Sequence, residues 1–132
     1  MALRVFSPII SSSLQQRGWD VLGLGSRDGI ALIRKINDGL EGSVVKRISE
    51  WAKITPTELQ KMSGIPITTF KRSTKKRFTA NQSERLVRVI RIIERAVALF
   101  EGDKEAAKKW LHEPNRALNW NIPAEIVASE TG

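Results

Sequence analysis

The segment from Thr55 to Arg77, TPTELQKMSGIPITTFKRSTKKR, leaves the chain little choice of local fold. Thr55 is a helix cap, Pro56 takes the first helical position, and Glu58 follows Thr55 at capping-box spacing, which satisfies otherwise orphaned amide donors. Gly64 stops the helix, because glycine enters a tight left-handed turn without steric cost. Ile65-Pro66 makes the turn, and a second helix is expected over about 67–76. A capped helix, a glycine turn and a cation-rich second helix form the pattern of a helix-turn-helix whose second helix lies in the DNA major groove.

Each residue then has a physical role. Leu59, Ile65 and Phe70 clamp the pair to a core. Ile67, Thr68, Thr69, Lys71 and Arg72 face base edges from the N-terminal half of the second helix. Threonine bonds several bases or touches a thymine methyl, and Arg72 pairs with a guanine edge, worth roughly 1–3 kcal/mol of discrimination. Lys75, Lys76 and Arg77 anchor phosphates, adding affinity and salt dependence without sequence choice. Gln60 and Ser63 stand where such units often hold alanine and a larger apolar residue. The competing explanation is a basic face that merely contacts solvent.

Charge placement favours the DNA reading. The chain carries a net charge of +8 over 132 residues. Residues 44–95 hold 13 basic and 4 acidic side chains, residues 1–43 hold 5 and 4, and residues 96–132 hold 4 and 6. The middle is the part suited to a polyanion. No cysteine is present, which excludes disulfides, thiolate zinc sites and thiol nucleophiles. The start has only a short apolar patch broken by Pro8, and no run approaches a membrane span, so a cytoplasmic protein is expected.

The rest reads as all-α. Residues 1–27 lack a clear period and are expected to be a flexible arm with apolar Val5, Phe6, Trp19, Val21 and Leu22. Asp28 can cap a helix from about Gly29 to Asp38, ended by Gly39, with Ile30, Ile33, Ile36 and Leu32 on its apolar side. A helix over about 43–53 buries Val44, Val45, Ile48 and Trp51 or Ala52. Thr79 and Gln82 form a second capping box and open the longest helix, to about Glu101, with Leu86, Val89, Ile90, Ile93, Val97 and Phe100 at helical spacing. Asp103 caps a short helix to about His112, Pro114 ends it, and a last helical turn starts at Pro123.

Chemistry beyond binding is not encoded in any recognisable constellation. His112, the single histidine, has no second ligand at useful spacing and reads as a solvated helix-end residue. Ser11, Ser12 and Ser13 have no His/Asp company, and Gly18, Gly23 and Gly25 do not precede a strand–helix phosphate cradle. No catalytic residue, metal ligand or cofactor is therefore nominated. Arg85, Arg88 and Arg95 either line phosphate or face solvent. Trp110 and Trp120 are either partner anchors or core.

From about Asp28 to Gly132 the chain resembles the Xre/MbcA/ParS-type antitoxins of bacterial operons whose toxins carry the RES domain. The resemblance rests on LQKMSGIPITTFKR, then FTANQSERLVRVIRIIERAVALF, then GDKEAAKKWLHEPNRAL, then IPAEIVASETG. The C-terminal pieces are more specific than the helix-turn-helix, which generic repressors share. The resemblance implies a helix-turn-helix core with an N-terminal helical segment and a small C-terminal helical toxin-binding domain. It implies residues 1–43 for dimer or partner contacts, 44–101 for DNA and 102–132 for the toxin. It also implies a homodimer on palindromic double-stranded operator DNA and a cognate RES-domain toxin that degrades NAD or uses it for ADP-ribosylation. The toxin-facing residues carried over are Trp110, Leu111, Pro114, Asn115, Arg116, Ala117, Leu118, Pro123, Glu125 and Ile126. Asn119-Trp120 departs from a glycine pair common in the family. Relatives usually continue for one more helix past the position of Gly132, so the last domain is expected in a shortened form. A stand-alone repressor, or a protein-interaction module that does not bind DNA, fits the same helix-turn-helix sequence. An enzyme stands far behind both.

Overall fold

The structure, a computed structural model, describes Trp19, Gly23, Leu24 and residues 29–131. Within them lie seven α-helices: α1 Ile30–Asp38, α2 Val44–Ala52, α3 Pro56–Ser63, α4 Ile67–Thr74, α5 Ala80–Leu99, α6 Lys104–Leu111 and α7 Pro123–Thr131, with a 3-10 turn at Arg116–Leu118 before α7. No strand occurs among the described residues, only isolated bridges Glu41–Arg77 and Asn115–Asn121. The all-α reading is therefore met. No helix among the described residues is long and apolar enough to cross a membrane.

Local chemistry sets most helix ends. Thr55 Oγ1 accepts from the Glu58 amide at 3.0 Å. At Thr79 both halves of the capping box form: Thr79 Oγ1 accepts from the Gln82 amide, and Gln82 Oε1 accepts from the Thr79 amide. Asp103 accepts from the Ala106 amide. The Thr55 box is only half made, however. The Glu58 side chain turns instead toward α6, where Lys108 Nζ lies at 3.9 Å and His112 Nε2 at 3.6 Å. His112 is the exposed C-cap of α6, as expected, and its approach to Glu58 also joins α6 to α3; its Nδ1 lies 2.9 Å from the Lys108 carbonyl.

Two helices organise the packing. α5 lies against α1, α3 and α6, while α3 touches α2, α4, α5 and α7. Leu59, Ile65, Phe70, Phe78, Leu86, Val89 and Ile90 are almost fully buried between them. The Phe70 and Phe78 rings meet with centroids 5.7 Å apart at 55°, a tilted contact that aromatic pairs favour.

Three expectations need correction. In α1 the buried residue is Leu32, Ile36 is half-buried, and Ile30 and Ile33 point outward with 68% and 55% of their surface exposed. Helix period alone could not choose between these neighbouring faces. Second, Trp19 is not part of a loose arm but 1% exposed in the core, with Nε1 donating to the buried Glu94 carboxylate at 2.7 Å. Third, Arg85 is a brace: Nη1 donates to the Gly64 carbonyl at 3.3 Å. The proposed Asp28 cap and the apolar residues Val5, Phe6, Val21 and Leu22 lie outside the described residues.

Candidate nucleic-acid interface and partner-binding region

The turn between α3 and α4 is fixed by three independent devices. Gly64 adopts φ 73°, the left-handed conformation expected of it. Gln60 Nε2 donates to the Ile65 carbonyl at 2.6 Å, and Ser63 Oγ both donates to the Gln60 carbonyl and accepts from the Ile65 amide. The two side chains that look out of place in the sequence therefore wire the turn. Arg85 adds the third tie, from α5 to Gly64.

That bracing holds α4 with Phe70 inward and a polar face outward. Thr68, Lys71, Arg72 and Lys75 are exposed and follow one another at helical spacing, so they share a face. Thr69 is half-buried beside them, and Ile67 leaves 44% of its surface open at the helix start. The end of α4 is held as well. Ser73 Oγ donates to Gln82 Oε1, and Thr74 Oγ1 donates to the Phe70 carbonyl. Beyond it, residues 76–78 pair with 40–42: Gly42 N donates to Lys76 O at 3.1 Å, and Phe78 N to Leu40 O at 2.8 Å.

The structure thus gathers six of the seven sequence-nominated DNA residues on or just beyond α4, with Lys75 and Lys76 exposed. Arg77 stands apart. Its guanidinium donates to the Gly39 carbonyl at 2.6 Å and lies 3.7 Å from the Glu41 carboxylate. It fastens the segment after α4 to the α1–α2 loop, a role that no local signal in the sequence discloses.

The C-terminal nominees divide more sharply. Leu111 is 1% exposed and Pro123 is buried, so both belong to the core. Trp110 is half-buried against Phe100, ring centroids 6.5 Å apart. Pro114, Arg116, Ala117 and Glu125 are exposed, and Leu118 and Ile126 are half-buried. Asn115 organises the loop. Its Oδ1 accepts from the Ala117 amide, its carbonyl accepts from Leu118 and Trp120, and its amide donates to Asn121 O. Trp120, left undecided by sequence, is 65% exposed.

The C-terminal region is docked on the helix-turn-helix rather than trailing from it. Besides the Glu58 contacts, Lys104 Nζ donates to the Trp51 carbonyl and lies 5.5 Å from the Trp51 ring centre. Burial, and secondarily the nearby Lys53 charge, push the Lys104 ammonium below its usual pKa.

Two family models match the chain. Residues 31–91 match the antitoxin Xre-like helix-turn-helix domain, and residues 95–132 match the antitoxin Xre/MbcA/ParS C-terminal toxin-binding domain. The chain is 34% identical over 133 residues to "Antitoxin Xre" of Photorhabdus laumondii, spanning 98% of this chain and 88% of that protein. It is 35% identical over 116 residues to "Antitoxin Xre" of Yersinia enterocolitica, spanning 86% and 78%. A third similar protein, "Antitoxin Xre" of Pseudomonas putida, is 28% identical over 100 residues, spanning 74% and 61%.

Proposed function

The chain belongs to the Xre-type antitoxins, with a helix-turn-helix domain followed by a toxin-binding domain, and from that premise we propose that it neutralises an NAD-targeting RES-domain toxin in the cytoplasm and represses its own operon. The observation that carries the reading is the exposed face of α4, Thr68, Lys71, Arg72 and Lys75, on a helix braced from both ends and joined to a second domain of toxin-binding type. Residues 44–101 bind operator DNA and residues 102–132 bind the toxin. Residues 1–43 serve dimer or partner contacts, for which the exposed Ile30 and Ile33 offer apolar surface. In a dimer, two α4 helices about 34 Å apart meet successive major-groove faces, and their two-fold symmetry requires a palindromic operator.

Binding to DNA divides among the residues by what each can reach. Thr68, Thr69, Lys71 and Arg72 read base edges, while Lys75 and Lys76 neutralise phosphates. Arg77 contributes charge from a fixed position. Arg72→Ala is expected to weaken operator binding about 10- to 100-fold and scrambled DNA much less. Lys75→Ala is expected to weaken both about equally and to flatten the salt dependence by roughly one phosphate. Titrations on operator and scrambled duplexes at two salt concentrations check this. Equal losses on the two duplexes for Arg72→Ala would remove it from base reading.

The test of the whole reading is co-expression of the tagged chain with the product of the neighbouring gene. A stable complex that abolishes NAD loss or ADP-ribosylation is expected. A chain that binds operator but captures no partner is a stand-alone repressor instead.

A further inference from the structure

Whatever surface the C-terminal domain uses for its partner, most of its large apolar side chains are already committed. Leu111 and Val127 are buried, Trp110 leans on Phe100, and Ile122 packs against the core. Between residues 102 and 128, Trp120 is the large apolar side chain that stands exposed.

The backbone beneath it is unusual. Asn119 and Trp120 are both left-handed, at φ 56° and 64°. Asparagine tolerates that conformation, whereas a tryptophan there is uncommon and strained. Seven hydrogen bonds hold the loop nonetheless. Four centre on Asn115, and the others are Asn119 N to Arg116 O, Asn121 N to Leu118 O, and Asn121 Nδ2 to Leu118 O. The loop thus fixes an indole facing solvent, 65% exposed, at a conformational cost.

We infer that Trp120 is the anchor of toxin docking: an indole pre-positioned by the Asn115–Asn121 brace to enter an apolar pocket on the toxin. This rests on the toxin-binding reading above. Tryptophan is enriched among residues that dominate interfaces, because it buries a large area from few rotatable bonds. Fixing the loop in advance lowers the ordering cost of binding. The occupant is the toxin rather than a second copy, because Trp120 lies inside the segment matching a toxin-binding domain, while Ile30 and Ile33 expose apolar surface on α1, outside that segment.

The test uses the full chain and the product of its neighbouring gene in calorimetric titration, with Trp120→Gly, Trp120→Phe and wild type. Glycine suits the left-handed backbone, so Trp120→Gly keeps or raises Tm and keeps operator binding. Its toxin affinity is expected to fall about 30-fold or more, and Trp120→Phe is expected to fall between. Wild type that binds no toxin overturns the underlying reading and this inference with it. Wild type and Trp120→Gly binding equally overturns the inference alone. A lower Tm for Trp120→Gly assigns the indole a structural role, and dissociation of a homodimer in sedimentation assigns it to self-association. Either result also overturns the inference.

Discussion

Trp19→Ala is expected to cost about 3–5 kcal/mol of stability, as truncation of a fully buried tryptophan does. For a chain of this size that is a Tm loss of roughly 10–20 °C, out of a total stability of about 5–15 kcal/mol. The reasoning begins with burial: Trp19 is 1% exposed, though it precedes the first long helix by ten residues of low sequence periodicity. Its indole N–H donates to Glu94 on α5 at 2.7 Å, in a place where a carboxylate is 4% exposed. The Trp19 carbonyl accepts from Leu24 N, and Lys35 Nζ reaches the Gly23 carbonyl, so the connection onward is also held. Trp19→Ala removes packing volume and a hydrogen bond to a buried charged group together. Trp19→Phe separates them: it keeps most of the ring and loses the donor, and should cost about 1–3 kcal/mol. Thermal and urea unfolding of the three proteins decides the matter. An alanine variant within about 1 kcal/mol of wild type would show that the indole does not occupy the core.

Such a contact marks the limit of what the sequence discloses. Features settled within four residues were legible: the Thr55 and Thr79 hydroxyls, Asp103, and the left-handed Gly64. So was the exposed face of α4, because Phe70 fixes which side is inward. Features settled by a distant partner were not. Glu58 has the spacing to close a capping box, yet His112 and Lys108, far along the chain, take its carboxylate. Arg77 and Arg85 look identical in sequence to the exposed cations of α4, and only backbone carbonyls at Gly39 and Gly64 distinguish them. Trp110 and Trp120 are equally apolar. The choice between them follows from Phe100 receiving one, while the Asn115–Asn121 brace holds the other outward.

Gly42→Ala is expected to disturb DNA binding without touching the exposed face of α4. Gly42 does not need an unusual φ; its constraint is proximity. A Cβ there would stand 2.0 Å from the Thr74 carbonyl oxygen, 2.5 Å from its carbon and 2.8 Å from Ser73 O. All three are backbone atoms at the end of α4, so no side chain can rotate aside. Relief requires residues 40–42 to separate from residues 73–78, breaking the Gly42 to Lys76 and Phe78 to Leu40 bonds and loosening Arg77 from Gly39. Overpacking of this kind is expected to cost about 3 kcal/mol. The moving segment carries Arg77 and also Lys75 and Lys76, to which the proposed function assigns phosphate contacts, so on that proposal operator affinity is expected to fall at every salt concentration. Gly102→Ala is the control. It has no atom within 4 Å of its Cβ, and its φ of 89° alone should cost about 1 kcal/mol. Paired unfolding and DNA titrations on the two variants test the argument. A Gly42→Ala protein as stable as Gly102→Ala would mean that the close approach of the two backbones does not hold in solution, and the positioning of the basic segment would then need another cause.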